Sequence, residues 1–578
     1  MNDVISIFKN DLYNFIDHLN IDKNIKHIKK QNVSIDFFSK SRLGDLSTNL
    51  LILSKYRDVN HFDIKSYVFN FLTKLPYVGN VEIAKAGFIN ITFSKKYLIN
   101  YFEYYYNLSL PIIDNTIIKK DINIEFVSAN PTGPIHLAHL RGAVLGDVIS
   151  SILEAVGHKV TREFYVNDAG SQIKTLGSSL FKRYQEKFNI KVVFSEGEYP
   201  GDYVKNIANE ILVKDGNKWL NEKNVNKRSV YFEKFAVNRL IDDIKNDLSL
   251  ININFDLFSY ESQIVENKYI DKVFEILKYK ELLYEGVLDK PLGDDSEWEP
   301  RKQLLFRSTN FSDDSDRAFQ KEDGDWTYFA NDSAYHYNKY SRNFDQLINI
   351  WGADHIGYIN RMKSIVEVFS NKKNYLEVFV CQIVRLIKNS QILKMSKRDG
   401  NFITLKSIHG EVGTDPLRYF MVSSKSESPM DLDMDKIIEK NKDNPVFYCQ
   451  YAYARASSVI RKSKDIKNLP EINKSLTLLS EKFLSEYEWS LIWKIYSWPY
   501  VLKQTSVTMQ PHRITNYLED LCSQFHIFWN KGKDDETLRM LDENNLDKTL
   551  SKLLWIELFR KTLKQAFDII GIDAPEIM

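Results

Sequence analysis

At roughly 150 residues per domain, a chain of 578 residues predicts three or four domains. Its 43% apolar and 27% charged residues exclude a disordered chain and leave enough material to bury several cores without staples. The formal net charge is +1, from 78 basic and 77 acidic residues, which taken alone argues against a strongly basic nucleic-acid binder.

Three cysteines, Cys381, Cys449 and Cys522, stand far apart with no CxxC pair. That pattern predicts neither a zinc ribbon nor a disulfide framework, and suits a reduced, cytoplasmic protein. The opening MNDVISIFKNDLYNFIDHLN carries acids where a signal peptide needs a clean apolar stretch. No run approaches the ~18 apolar residues of a membrane span.

Residues 1–110 mix helical stretches with a strand-like GFINITF, Gly87–Phe93, in which Phe88, Ile89 and Ile91 suit a buried edge. Residues 111–440 form a long α/β region. Residues 441–578 read almost wholly helical; Pro511 suits a helix start, and Ile514, Leu518, Leu521, Phe525 and Phe528 then share one face. Trp489, Trp493 and Tyr496 at helical spacing read as bundle core. Charge is unevenly placed: +4, −4 and +1 in the three segments. The expected fold is therefore α/β multidomain, with a Rossmann-like doubly wound parallel sheet between an N-terminal α+β domain and a C-terminal all-helical bundle.

Within the middle segment, Ile122–Val127 predicts a strand, Ser128-Ala129-Asn130-Pro131-Thr132-Gly133-Pro134 a loop, and Leu137 onward a helix through Val144, Val148, Ile152 and Val156, stopped at Gly157. A second strand follows at Lys159–Tyr165, which completes a βαβ unit of a nucleotide-binding sheet. His136 and His139 sit where helix N-termini attract phosphate, and two imidazoles there could donate to phosphate oxygens as charge builds. A bare HxxH also arises by chance or as a metal pair, although no third ligand stands nearby. Between Arg385 and Arg398 lie five basic residues and no acidic one. Such a run is either a solvated face or a phosphate site.

Several stretches carry a resemblance. EFVSANPTGPIHLAHLRGAVLGD (Glu125–Asp147) resembles the HIGH-motif region of class I aminoacyl-tRNA synthetases, specifically the arginyl-tRNA synthetases of bacterial type. Glu163–Gln172 looks like the second block of that family, and Lys394-Met395-Ser396-Lys397-Arg398 is similar to its KMSKS loop, with Gly400, Thr404 and Leu405 following. Glu261 in FSYESQ, Tyr328 and Asp332 in WTYFANDSAY, WGADH (Trp351–His355), QYAYAR (Gln450–Arg455) and the terminal GIDAPEIM also match. The likeness runs in order from GDLSTN (Gly44–Asn49) to the last residue. Two positions depart from the family pattern: Ala138 replaces the usual glycine, and Tyr453 stands where histidine is common.

The resemblance implies ATP-dependent activation of arginine to arginyl-adenylate, then transfer to a hydroxyl of the terminal adenosine of the arginine tRNA, with activation requiring that tRNA. It implies three domains: 1–110 contacting the tRNA, 111–440 catalytic, and 441–578 binding the anticodon. His136 and His139 would contact the α-phosphate, and Lys394 and Lys397 would neutralise pyrophosphate. Gly133, Ala138, Asp354, His355, Met395 and Ser396 would line the ATP site. A guanidinium has five donors and no acceptor, so its pocket should hold carboxylates and a hydroxyl. Glu261, Asp332 and Tyr328 are those types, with Asn130 and Glu125 at the α-amino group. Such a pocket selects against lysine without an editing domain. Tyr451, Tyr453, Arg455 and Arg461 interleave aromatics with basic residues, as a face that reads single-stranded RNA would.

Magnesium is expected with ATP, held by the phosphates, and structural zinc is not. Partners are the tRNA, L-arginine and ATP, without membrane or DNA, and the chain is expected to be a monomer. Rival readings are another class I synthetase or HxGH adenylyltransferase, of which the small adenylyltransferases would not need the long helical segment, and a non-catalytic tRNA-binding paralogue, which would have damaged signature residues.

Overall fold

Short runs rich in apolar residues, interrupted by buried polar ones such as Asn123, Glu163 and Asn349, become the strands of one parallel sheet. The computed structural model describes residues 3–21, 27–37, 44–54, 64–84, 87–112, 117–288, 300–311, 313–393, 403–472 and 476–578. These form two units, one of Ile118–Ile438 and one that joins Met1–Ile117 to Glu439–Met578.

In the first of these, five strands, β1 (Asp121–Glu125), β2 (Lys159–Val166), β3 (Leu257–Tyr260), β4 (Gln346–Gly352) and β5 (Leu376–Cys381), lie in the order β5-β4-β1-β2-β3, all parallel. The chain winds outward from β1 in one direction, then returns to the other side of it at β4. That reversal makes the carboxyl ends of β1 and β4 the expected ligand crevice. Helix α1 (Leu137–Ala155) crosses from β1 to β2. Its Val144, Val148 and Ile152 are buried, and it ends at Val156 with Gly157 at φ +95°, close to the expected stop.

Gly146 on α1 meets Phe126 so closely that an added Cβ would lie 2.3 Å from the ring's Cγ. The approach of helix to sheet is possible only without a side chain there.

Between β2 and β3 the chain inserts α2 (Ser171–Glu186), α3 (Asp202–Asp215) and α4 (Val225–Ser249). With Trp219 from the short helix Lys218–Asn221 between α3 and α4, they pack Leu176, Leu180, Tyr184, Ile207 and Phe232 into a separate core. Before β4 comes α5 (Tyr328–Ser341), started by Thr327, whose hydroxyl accepts from the Ala330 amide. After β4 comes α6 (Ile359–Ser370).

In the other unit, a four-stranded antiparallel sheet orders Ile35–Phe37, Leu46–Thr48, Ile89–Phe93 and Val78–Ile83. Ile89 and Ile91 are fully buried, but Phe88 is 37% exposed: one position before Ile89, it takes the outward phase of the alternation, which corrects the expectation of a three-residue buried edge. The C-terminal part is helical, and the helix Glu486–Tyr496 buries Trp489, Trp493 and Tyr496.

That burial involves the N-terminal segment. Trp493 stacks on Phe93 at 4.7 Å and donates to the Asp45 carbonyl at 3.0 Å. Tyr496 stacks on Tyr105 at 3.8 Å and donates to the carbonyl of Leu98, 398 residues away in sequence. Lys503 reaches the buried Asp3 carboxylate at 2.7 Å. Two segments that look separate in sequence share one core. Among the described residues no helix is long and apolar enough to cross a membrane.

Candidate active site

Immediately past β1 the backbone turns sharply, because Val127 and Ser128 adopt φ of +66° and +39°. A β-branched residue in the left-handed region is strained, and strain of this kind collects at functional sites. The turn is held by Ser128, whose hydroxyl donates to Glu125 at 2.9 Å and accepts from the Tyr165 amide at 3.1 Å. Further along the loop, Asn130 donates to Gln172 at 3.2 Å, and Tyr203 of α3 donates to the Thr132 carbonyl at 2.7 Å.

The loop delivers His136 to the start of α1, in extended backbone at φ −130°. His139, one turn in, accepts weakly from the His136 amide at 3.4 Å, with the two rings 4.0 Å apart. Both imidazoles therefore sit where helix amides gather positive potential. Thr404 bridges to His136, and the Leu405 amide donates to the Ile135 carbonyl at 2.9 Å.

At this crevice opens a cavity of about 970 Å³. It brings together Glu125, Asn130, Gly133, His136, Ala138, His139, Tyr328, Asp332, Asp354 and His355. Tyr328 is 83% exposed. Asp354 and His355 are also exposed and lie 3.5 Å apart in the turn after β4.

Glu261 is not among the lining residues; with the Asn167 side-chain amide turned so that its nitrogen faces them, Asn167 donates to the Glu261 carboxylate at 2.7 Å and to the Ala169 carbonyl at 3.1 Å. Asp168 accepts from the Ser262 amide and hydroxyl at 2.8 and 2.6 Å. Burial, then Asp168, raises the Glu261 carboxyl. Burial, then Glu125 and Glu261, raises that of Asp332 to about 7. Carboxylates that resist ionising beside one another form a receptor awaiting a cation.

Lys394, Met395, Ser396 and Lys397 lie outside the described residues. The basic run that contains them is less uniform than it reads. Arg385 forms a two-bonded pair with Asp431 at 2.6 and 2.9 Å, and Lys388 pairs with Glu411 at 2.6 Å. Neither lines the cavity, so two of the five basic residues are spent on acids brought in from other elements.

Sequence reasoning missed a buried polar network under the cavity. Asp332, Tyr335, His336 and Lys339 recur on one side of α5 at helical spacing. Lys339, fully buried, forms an ion pair with Glu125 and donates to Asn349 of β4 at 3.0 Å. The Asn349 amide faces His336 Nε2 at 2.9 Å, and His336 Nδ1 faces the Asp332 carbonyl at 2.8 Å. Burial, then Lys339, holds His336 down at about 3. It is therefore neutral, with its proton on Nδ1. Beside this chain, Glu163 of β2 accepts from Asn123, Ser259, Tyr335 and Arg342. The spacing in WTYFANDSAYHYNKY was the available signal.

Arg141 was missed as well. From α1 it donates to the carbonyls of Gln382, Lys425 and Ser428 at 3.2, 2.8 and 2.7 Å, fastening the histidine-bearing helix to the segment after β5.

Of the expected RNA-facing residues, all four lie on the helix Pro445–Ser463. Tyr451 carries the Arg455 guanidinium 4.1 Å over its ring, and Arg455 donates to His526 Nδ1 at 2.9 Å. Arg461 donates to the Glu576 carbonyl at 2.8 Å. Tyr453 is only 6% exposed, packed near Phe567. It therefore offers no ring face to a base, which corrects its assignment to the RNA surface.

Family comparisons agree with this architecture. The model "Arginyl tRNA synthetase N terminal domain" matches residues 11–93, "tRNA synthetases class I (R), catalytic domain" matches 113–440, and "DALR anticodon binding domain" matches 449–578. Arginine–tRNA ligase of Orientia tsutsugamushi (strain Ikeda) is 40% identical over 92% of this chain and 91% of its own length. That of Pelagibacter ubique is 39% identical over 100% of both. The arginyl-tRNA synthetase of Thermus thermophilus shares the fold over 100% of both chains, with a TM-score of 0.73 at 16% identity. Family models across almost the whole chain and full-length relatives of this likeness lead to one conclusion: the chain belongs to the class I arginyl-tRNA synthetases, the arginine–tRNA ligases.

Proposed function

We propose the following division of labour for arginine–tRNA ligation. The arginine carboxylate attacks the α-phosphorus of ATP, the bond to the bridging oxygen breaks, and pyrophosphate leaves. A ribose hydroxyl of the tRNA's terminal adenosine then attacks the activated carbonyl and releases AMP. Neither step needs a protein nucleophile, so positioning and charge stabilisation supply the catalysis. His136 and His139 donate to the α-phosphate, and Lys394 and Lys397 neutralise the leaving pyrophosphate. Gly133, Ala138, Asp354 and His355 line the nucleotide side. Asp332 and Tyr328, backed by Glu261, receive the guanidinium, while Glu125 and Asn130 hold the α-ammonium.

The observation that carries this reading is the single cavity that joins the histidine pair at the start of α1 to Glu125, Asn130, Tyr328 and Asp332. Magnesium would enter with the nucleotide, held mainly by its phosphates; among the described residues no cluster of three His, Cys, Asp or Glu could hold a resident ion. Tyr451, Arg455 and Arg461 would face the anticodon side of the tRNA. The chain would work as a monomer in the cytoplasm, where its three buried, free cysteines stay reduced.

Arginine-dependent ATP–pyrophosphate exchange, run with and without the cognate tRNA, tests the reading. Exchange with arginine only when tRNA is present is expected. Exchange driven by another amino acid, with none for arginine, would overturn it.

A further inference from the structure

Glu125 is 6% exposed, yet it lines the cavity floor at the end of the central strand. Each of its oxygens has a partner: the Ser128 hydroxyl donates to Oε1 at 2.9 Å, and the Lys339 ammonium reaches Oε2. The carboxylate plane is thereby fixed from two sides. Lys339 is itself immobilised, since it is fully buried, donates to Asn349 Oδ1 at 3.0 Å and lies 4.6 Å over the Tyr335 ring. The direction of that contact is forced. Asn349 must present its amide hydrogens to the Nε2 of a neutral His336, so only its oxygen is left for Lys339.

A buried lysine is costly unless it is paired and hydrogen-bonded. An alternative with lower desolvation cost, an apolar residue at 339 beside a neutral residue at 125, would remove the anionic group that ends the central strand on this floor. We infer that Lys339 is a positioning residue for amino-acid recognition: it touches no substrate, but it orients Glu125 so that the carboxylate accepts the α-ammonium of arginine. This inference rests on the assignment of Glu125 to the α-ammonium.

The test compares arginine with δ-guanidinovalerate, which keeps the guanidinium and carboxylate but lacks the α-amino group. In tRNA charging, Lys339→Met should raise the KM for arginine roughly tenfold to a hundredfold, as expected for a disordered charged hydrogen bond. The KM for ATP and the inhibition constant of δ-guanidinovalerate should stay near the unsubstituted enzyme's. Equal loss for both ligands, or unchanged or tighter arginine binding, overturns the role of Lys339. Because Lys339→Met leaves a buried carboxylate without its cation, the double variant with Glu125→Gln is the second arm. Its arginine KM should match that of Glu125→Gln alone, and additive losses would overturn the inference. Glu125→Gln itself separates the two ideas: if it weakens both ligands equally, the assignment of Glu125 fails.

Discussion

Asp332 shares its cavity with Glu125, and burial, with Glu125 and then Glu261, raises the Asp332 carboxyl to about 7. A guanidinium needs that carboxylate ionised, so binding at lower pH must first expel a proton. Arginine affinity should be level above pH 7 and fall by about tenfold per unit below it. The free protein behaves in the opposite sense: a carboxyl raised on folding favours the native state as pH falls from 7 toward the unfolded value of 3.8. Arginine should therefore raise the melting temperature more at pH 8 than at pH 6. Asp332→Asn should weaken arginine binding roughly tenfold to a hundredfold and remove the pH dependence. Calorimetric titration across this range measures both; a flat affinity from pH 5 to 8 would count against the assignment.

The two histidines act on charge that develops during reaction. His136→Ala or His139→Ala should each lower kcat by about 10²–10³, the usual cost of one such donor, with tRNA affinity little changed. Single-turnover charging and filter binding separate these effects. A loss confined to tRNA affinity would place the pair in RNA contact instead.

The basic run offers a contrast between neighbours. Arg385 pairs with Asp431 with half of its side chain exposed, and solvent-exposed pairs of this kind add little. Arg385→Ala should leave charging within about twofold of the unsubstituted enzyme. Lys394→Ala should lower it by orders of magnitude, with tRNA binding retained. Steady-state charging of the two variants side by side checks this, and similar losses would mean that the whole run binds phosphate.

Gly146 tests how closely α1 must lie on the sheet. With an added Cβ 2.3 Å from Phe126, Gly146→Ala should destabilise the protein by about 1–3 kcal/mol. Adding Phe126→Leu should recover part of that loss. Thermal melting reads both, and an unshifted midpoint for the single variant would refute the close approach.

Local pattern made much of this legible. The strand–loop–helix around His136 follows from residue type and spacing, whereas the acids suited to a guanidinium are reached through the family resemblance. What escaped is non-local. Lys339 reads as an ordinary helix-surface lysine until α5 is laid against β1 and β4, where it meets Glu125 and Asn349. Arg385 reads as free charge until Asp431, on a strand beside it, is known to be its neighbour. Tyr453 and Tyr451 alternate in sequence like two platforms, but a helix turns consecutive residues to different sides and sinks Tyr453 into the bundle. Burial of a polar residue is set by its partners, and partners from distant segments leave no periodic trace.

The shared core of the first and last segments also dictates an order of events during synthesis. Phe93 and Tyr105 leave the ribosome early, but their partners Trp493 and Tyr496 follow only after nearly 400 residues. At roughly 5–20 residues per second, that interval lasts on the order of 20–80 s. Throughout it the nascent N-terminal segment must carry uncovered aromatic rings in a crowded cell. The window is long enough for holdase chaperones to engage, and a stop codon anywhere before residue 486 would make that exposure permanent.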